Sequence, residues 1–205
     1  VGVWKIGILF LLVSGILWFY SSTYKKHFIV GNVVVGLLAA FIPVSAIIYE
    51  IPLLHMVYAS ILIETDTNFL YMFNWIFAFS WFIFLNTLMY EINKDIFSIE
   101  GDLENGNQTI PVRLGIPAAR RIIVALAVVA MISAGVFYYW EFTASLAILV
   151  YIVVAILLPY AFYIAAVKGR VDHRCLQLRL IRVIMILCLG VSFFFKHFFQ
   201  LIFAD

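Results

Sequence analysis

Residues Glu91 to Gly115 read EINKDIFSIEGDLENGNQTIPVRLG, which is the longest polar stretch of an otherwise apolar chain. The stretch holds five of the eleven acidic residues. If its first twelve residues are helical, at about 100° per residue, Asp95 lies about 40° and Asp102 about 20° from Glu91. Ser98 lies about 20° to the other side. Three carboxylates and one hydroxyl therefore share one stripe, and the Asn-Gly pair at 105–106 predicts the end of the helix.

Like charges on one helix face repel, so this stripe needs a compensating charge. A divalent cation is a natural candidate, because Mg²⁺ is held in proteins by one or two carboxylates together with phosphate oxygens. The spacing alone is equally compatible with a solvated amphipathic helix that lies on a membrane surface.

The composition predicts an integral membrane protein. Hydrophobic residues make up 66% of the chain and charged residues 12%, against about half and a quarter in soluble domains. No alternation typical of strands appears, so we expect an all-α fold in a single membrane domain, residues 1–205. The predicted spans are residues 1–20, 28–49, 69–90, 122–140, 145–167 and 182–203, with a connection from Glu50 to Asn68.

The distribution of positive charge predicts the orientation of these spans. The loops after the first, third and fifth spans hold ten of the thirteen Lys and Arg residues, whereas the opposite side has Lys5 and Lys196. The positive-inside rule then places the acidic stretch on the cytoplasmic side, which in a bacterium is the inner face of the cell membrane.

The acidic stretch also resembles a known motif. It is similar to the second acidic motif of the UbiA superfamily of intramembrane prenyltransferases, K-D-I-x-D-x-E-G-D-x-x-x-G-x-x-T-L-P-x-x-x-G. The residues at its fixed positions that match are Lys94, Asp95, Ile96, Glu100, Gly101, Asp102, Gly106, Thr109, Pro111 and Gly115, and Ile99 occupies a variable position. Ser98 stands where the family often has Asp, and Ile110 replaces Leu. The segments from Tyr20 to Lys25 and at Gly31-Asn32 resemble the family's Y-S-x-x-L-K and G-N segments.

This resemblance implies that the six spans correspond to spans four to nine of a nine-helix bundle. We therefore expect an N-terminally truncated chain. The family's first acidic motif, N-D-x-x-D-x-x-x-D, has no match here, and the resemblance implies that the chain by itself is inactive.

The resemblance further implies a Mg²⁺-dependent enzyme that transfers an isoprenyl group from a prenyl diphosphate to a lipid or aromatic acceptor. It assigns Asp95 and Asp102 to catalysis, and both of them with Glu91 to Mg²⁺ binding. Three basic residues are candidates for the diphosphate, namely Lys25, Lys94 and Arg113. Tyr20, Asn32 and Ser98 are candidates for the substrate pocket. The motif favours the branch that makes geranylgeranylglycerol phosphate lipids, with the homogentisate, quinone and chlorophyll branches as alternatives.

A membrane transporter or a non-enzymatic bundle that binds prenyl lipids is the competing class. A transporter is expected to carry ionisable residues near the middle of its spans. Here these residues cluster at the ends of the predicted spans, which weighs against transport. The basic loops are short and lie at the membrane, so we expect no nucleic-acid partner.

Overall fold

The computed structural model describes residues 3–22, 28–64 and 70–141, and all regular elements in these ranges are α-helices. In chain order they are α1 (Val3–Ser22), α2 (Val30–Glu64), α3 (Leu70–Phe97), α4 (Ile99–Glu104), α5 (Ile110–Leu114) and α6 (Ile116–Glu141). Among the described residues, three helical segments are long and apolar enough to cross a membrane: Val30–Tyr58, Ile76–Phe97 and Ile116–Phe137. The predicted all-α membrane fold is confirmed. The spans predicted at 145–167 and 182–203 lie outside the described residues.

The described residues belong to two compact units. The first contains α1, α2, α3 up to Leu88 and the loop from Asn105 to Thr109. The second contains α3 from Met89 onward together with α4, α5 and α6.

In the first unit, α1 packs against α2, and Gly36 of α2 lies close to two side chains of α3. A Cβ atom added at Gly36 would lie 3.0 Å from Cδ2 of Phe84 and 3.4 Å from Cγ of Leu88. The missing side chain therefore allows the backbone of α2 to approach α3 closely, as small residues commonly do where membrane helices meet.

In the second unit, α5 packs against both α4 and α6. One stripe of α6, formed by Ala119, Ile123, Ala127 and Ala130, is buried. Val128, Val129 and Ile132 lie on the exposed side of the same helix. In a helix that crosses a bilayer, an exposed apolar face is a lipid-facing one, since lipid replaces water as its solvent.

The helix bounds differ from the predicted spans at three places. Helix α3 continues past residue 90 to Phe97. Helix α2 does not end near Tyr49 but continues to Glu64, through Pro52, with non-helical backbone angles at Tyr58. The predicted connection from Glu50 is therefore helical as far as Glu64. Helix α6 begins at Ile116, so that Arg120 and Arg121 are part of the helix and not of the preceding loop.

Candidate active site

The acidic residues of the motif lie on the last turns of α3 and on α4, within the second unit. The backbone N–H of Ser98 donates to the carbonyl of Lys94 at 3.0 Å, and that of Asp102 donates to Ser98 at 2.9 Å. These are bonds from residue i to i−4, so helical hydrogen bonding continues through the turn at Ser98. The helix predicted from Glu91 to Asp102 is thus present, with one irregular residue between α3 and α4.

The carboxyl groups differ in burial along this segment. Glu91 and Asp95 are buried, Asp102 is half-buried, and Glu100 and Glu104 are exposed. Burial of a carboxylate is unfavourable unless a positive charge or hydrogen-bond donors compensate it. Compensation of negative charge is therefore most important at the buried end of the stripe, which holds Glu91 and Asp95.

Lys94 supplies this compensation for Glu91. Its ammonium group donates a hydrogen bond to Oε2 of Glu91, and the two residues form an ion pair one turn apart on α3. The rotation of about 100° per residue that places Asp95 and Asp102 near Glu91 also places Lys94 about 60° from Glu91 around the helix axis. The long side chain of lysine can span this angle.

Ser98 contacts Asp102. The Ser98 hydroxyl donates to Oδ2 of Asp102 at 3.1 Å, from one turn earlier in the chain. The residue that replaces the family's frequent aspartate therefore binds the next carboxylate of the stripe. This contact agrees with the prediction that Ser98 and Asp102 share a helix face.

A tight turn and a short helix follow α4. Gly106 and Gly115 have φ angles of 68° and 82°, in the left-handed region where a side chain is unfavourable. Pro111 is buried in the first turn of α5, where a missing N–H leaves no helical bond broken. Arg113 lies in the last turn of the same helix and is exposed.

The remaining predicted site residues lie elsewhere. Lys25 is outside the described residues. Tyr20 is on α1 near its end, and Asn32 is a partly buried residue in the first turn of α2, in the first unit. The contacts between predicted residues in the described part of the chain include those of Glu91 with Lys94 and of Ser98 with Asp102.

The carboxylates do not form a closed metal cage. In residues 3–22, 28–64 and 70–141, no group of three His, Cys, Asp or Glu side chains is arranged to hold a metal ion. Helix geometry gives a reason, because seven residues separate Asp95 from Asp102, or about 10 Å along the axis. Each of these carboxylates can hold a Mg²⁺ ion whose remaining ligands are phosphate and water oxygens, which is a usual mode of Mg²⁺ binding.

Two amides, one buried and one half-buried, were missed as candidates by sequence reasoning. Asn93 is only 1% exposed, and its Nδ2 has no hydrogen-bond partner among the described residues. Asn86 donates from Nδ2 to the carbonyl of Phe82 at 2.8 Å, while its Oδ1 has no partner within the same ranges. The available signal was an amide within an apolar helix, which is unfavourable in a membrane unless its polar atoms are bonded.

Comparison with known proteins identifies the family. The sequence profile of the UbiA prenyltransferase family matches residues 1–199. The chain belongs to the UbiA prenyltransferase family, as its acidic motif predicted.

One curated relative is digeranylgeranylglyceryl phosphate synthase from Methanosphaera stadtmanae, which is 28% identical over 159 residues. The match covers 78% of this chain and 51% of the relative, so the chain spans about half the length of the curated protein that it matches. No solved structure matches the chain.

Proposed function

We propose that the protein is a prenyltransferase that moves an isoprenyl group from a prenyl diphosphate to an acceptor in the membrane. The observation that carries this proposal is the row of partly buried carboxylates at the end of an apolar helix, in a chain of this family. A substrate with an anionic head and a long apolar tail matches a site where charged groups meet an apolar helix. The head needs the charged groups, and the tail needs lipid or apolar side chains.

Asp95 and Asp102 are the residues that we assign to Mg²⁺, and Glu91 is the third predicted ligand. Bound Mg²⁺ supplies positive charge that neutralises the diphosphate as the carbon–oxygen bond breaks. Burial of Asp95 increases the strength of its electrostatic interactions, since water screens them less there. The Ser98 hydroxyl fixes the carboxylate of Asp102 through its hydrogen bond.

The basic residues of the motif are assigned to the diphosphate. Lys94 is on the acidic segment itself, and Arg113 is one short helix further along the chain. Lys25 is the third candidate. Their positive charges bind phosphate oxygens and stabilise the negative charge that grows on the leaving group.

The apolar helices are assigned to the isoprenoid tail and to the exclusion of water from the allylic cation. Aromatic side chains stabilise such cations through the negative faces of their rings. Tyr20, Asn32 and Ser98 are the predicted pocket residues.

For the acceptor we propose a glycerol-phosphate lipid that already carries one geranylgeranyl chain. The similarity to a digeranylgeranylglyceryl phosphate synthase supports this choice. Homogentisate, quinone and chlorophyll-type precursors are the aromatic alternatives. We further propose that residues 1–205 alone are inactive, because a first acidic motif completes the site in this family.

Turnover of radiolabelled geranylgeranyl diphosphate by the full-length protein in lipid nanodiscs tests the proposal. The acceptors would be geranylgeranylglyceryl phosphate and homogentisate, each with Mg²⁺ and with EDTA. We expect transfer to the lipid acceptor only with Mg²⁺. Asp95→Asn and Asp102→Asn should each reduce kcat/KM by about 100-fold or more, the scale of losing one preorganised charge contact in the transition state.

Glu104→Gln is the matched control, because Glu104 is an exposed carboxylate of the same segment with no assigned role. Its kcat/KM should stay within about twofold of the wild-type value. Unchanged activity of both Asp variants, or transfer in EDTA, would exclude the proposed mechanism.

A further inference from the structure

The Glu91–Lys94 pair has an asymmetric environment. The Glu91 side chain is 11% exposed, whereas that of Lys94 is 44% exposed. The carboxylate is thus held inside the protein, and the ammonium group that it binds lies nearer to the surface of the second unit. Glu91 is surrounded in sequence by Met89, Ile92 and Asn93, all of them buried, which fixes its position on α3.

This pairing changes what each residue is able to do. A carboxylate whose charge is compensated by an ammonium group has less need of a cation. A lysine has a flexible four-carbon stem, so a buried partner that fixes its ammonium group reduces the entropy lost when a ligand binds it.

We propose that Glu91 is a positioning residue that holds the ammonium group of Lys94 for the diphosphate, and that it is not a ligand of the metal. The inference rests on the proposed function, and it reduces the carboxylates assigned to Mg²⁺ from three to two. Asp95 and Asp102 then suffice, in agreement with the one or two carboxylates that Mg²⁺ usually takes from a protein when phosphate supplies the rest.

A double-mutant cycle distinguishes the two roles of Glu91. The proteins are the wild type, Glu91→Gln, Lys94→Met and the double variant, each full-length in nanodiscs. Isothermal titration gives the Kd of inorganic pyrophosphate at saturating Mg²⁺, and a Mg²⁺ series gives the concentration for half-maximal pyrophosphate binding.

We expect Lys94→Met to raise the pyrophosphate Kd by about tenfold or more, the effect of losing one charge-assisted hydrogen bond. Glu91→Gln should raise it by about two- to tenfold, the effect of one side chain that is no longer held in place. The double variant should bind no more weakly than Lys94→Met, because Glu91 acts only through Lys94. The Mg²⁺ concentration for half-maximal binding should be the same in the wild type and in Glu91→Gln.

Two further variants address folding. Lys94→Arg preserves the ion pair and should keep the pyrophosphate Kd near the wild-type value. Glu91→Asp keeps the negative charge with a shorter reach, so it should raise the pyrophosphate Kd and leave the Mg²⁺ requirement unchanged. If Glu91→Gln does not fold, Glu91→Asp takes its place in the cycle.

An increase in the Mg²⁺ requirement of Glu91→Gln that persists in the Lys94→Met background would overturn the inference, since it would identify Glu91 as a metal ligand. Additive losses of pyrophosphate affinity would overturn it as well. In both cases the proposed function stands. Absence of pyrophosphate binding by the wild type would overturn the inference and the proposed function together.

Discussion

At the residue scale, Ser98 is the clearest departure of this chain from its family. Its hydroxyl binds Oδ2 of Asp102, where an aspartate would place a second carboxylate one turn away. Like charges at this spacing destabilise a helix by about 0.2–0.5 kcal/mol. We therefore expect Ser98→Asp to lower the unfolding temperature slightly in EDTA and to reverse this loss in Mg²⁺, because the cation neutralises the added charge.

Thermal unfolding of the full-length protein, with and without Mg²⁺, measures this effect. Ser98→Asn is the control, since it has the size of aspartate without its charge and should respond to Mg²⁺ as the wild type does. A Ser98→Asp protein whose unfolding temperature does not depend on Mg²⁺ would argue against a metal near Asp102.

Asn93 provides a second prediction at this scale. Its Nδ2 is buried without a partner in the part of the chain that the structure describes, and an unsatisfied buried donor costs about 1–3 kcal/mol. Ser80 on the same helix is also buried, yet it donates to the carbonyl of Ile76 at 2.7 Å. We expect Asn93→Leu to raise the free energy of unfolding by about 1 kcal/mol, measured by denaturant titration in detergent.

Asn86→Leu is the matched control for this substitution. Asn86 keeps one hydrogen bond, to the carbonyl of Phe82, so its removal should bring a smaller gain. If Asn93→Leu instead loses stability or binds prenyl diphosphate more weakly, the Asn93 amide forms a hydrogen bond to a bound ligand or to another helix.

Residue spacing predicted part of the site and left part of it open. The 100° rotation per residue correctly placed Ser98 and Asp102 on one face, because helical hydrogen bonding continues through this segment. The same spacing did not reveal which residue Lys94 binds. Its flexible stem can reach several groups nearby, and only the structure shows the bond to Glu91.

At the element scale, the close approach of α2 to α3 depends on Gly36. A side chain there would meet the ring of Phe84, so Gly36→Val should lower the free energy of unfolding by about 1–3 kcal/mol, as overpacking usually does. Gly15→Val on α1 is the control, because nothing lies within 4 Å of its added Cβ. Equal losses in the two variants, measured by thermal unfolding, would show that packing against Phe84 is not responsible, since valine has a higher helix propensity than glycine at both positions.

The bounds of α2 show where pattern reading fails at this scale. Glu50 and Pro52 indicated a connection, because a charge and a proline usually end an apolar span. The helix tolerates them since a proline removes only one intrahelical bond, and it loses regular geometry only at Tyr58. The end of α4 was predicted correctly, because Asn105-Gly106 supplies the positive φ angle that the turn requires.

For the whole molecule, the family could be predicted from the sequence. The spacing between the residues of the acidic motif reflects a fixed order of one helix, one turn and one short helix. Helix α4, which carries acids of the motif, and helix α5, which contains Pro111, are in contact in the second unit. The predicted spans beyond residue 141 and the position of Lys25 stay predictions. No periodic pattern specifies how membrane helices pack against each other, since lipid and protein interiors are equally apolar.

The orientation of the chain in the membrane gives the last prediction. Helix α6 has 26 residues and is therefore about 39 Å long, which exceeds the hydrocarbon thickness of about 30 Å. Its two ends should emerge on opposite sides, with Arg120 and Arg121 holding the first end in the cytoplasm. In a full-length background in which every cysteine, Cys175 and Cys188 included, is replaced by Ser, a membrane-impermeant maleimide added to intact cells should label Glu141→Cys and not Gln108→Cys. Gln108 is exposed, so Gln108→Cys should be labelled once the cells are opened, which controls for reactivity. Labelling of Gln108→Cys in intact cells would place the acidic segment outside the cell and contradict its predicted position on the cytoplasmic side.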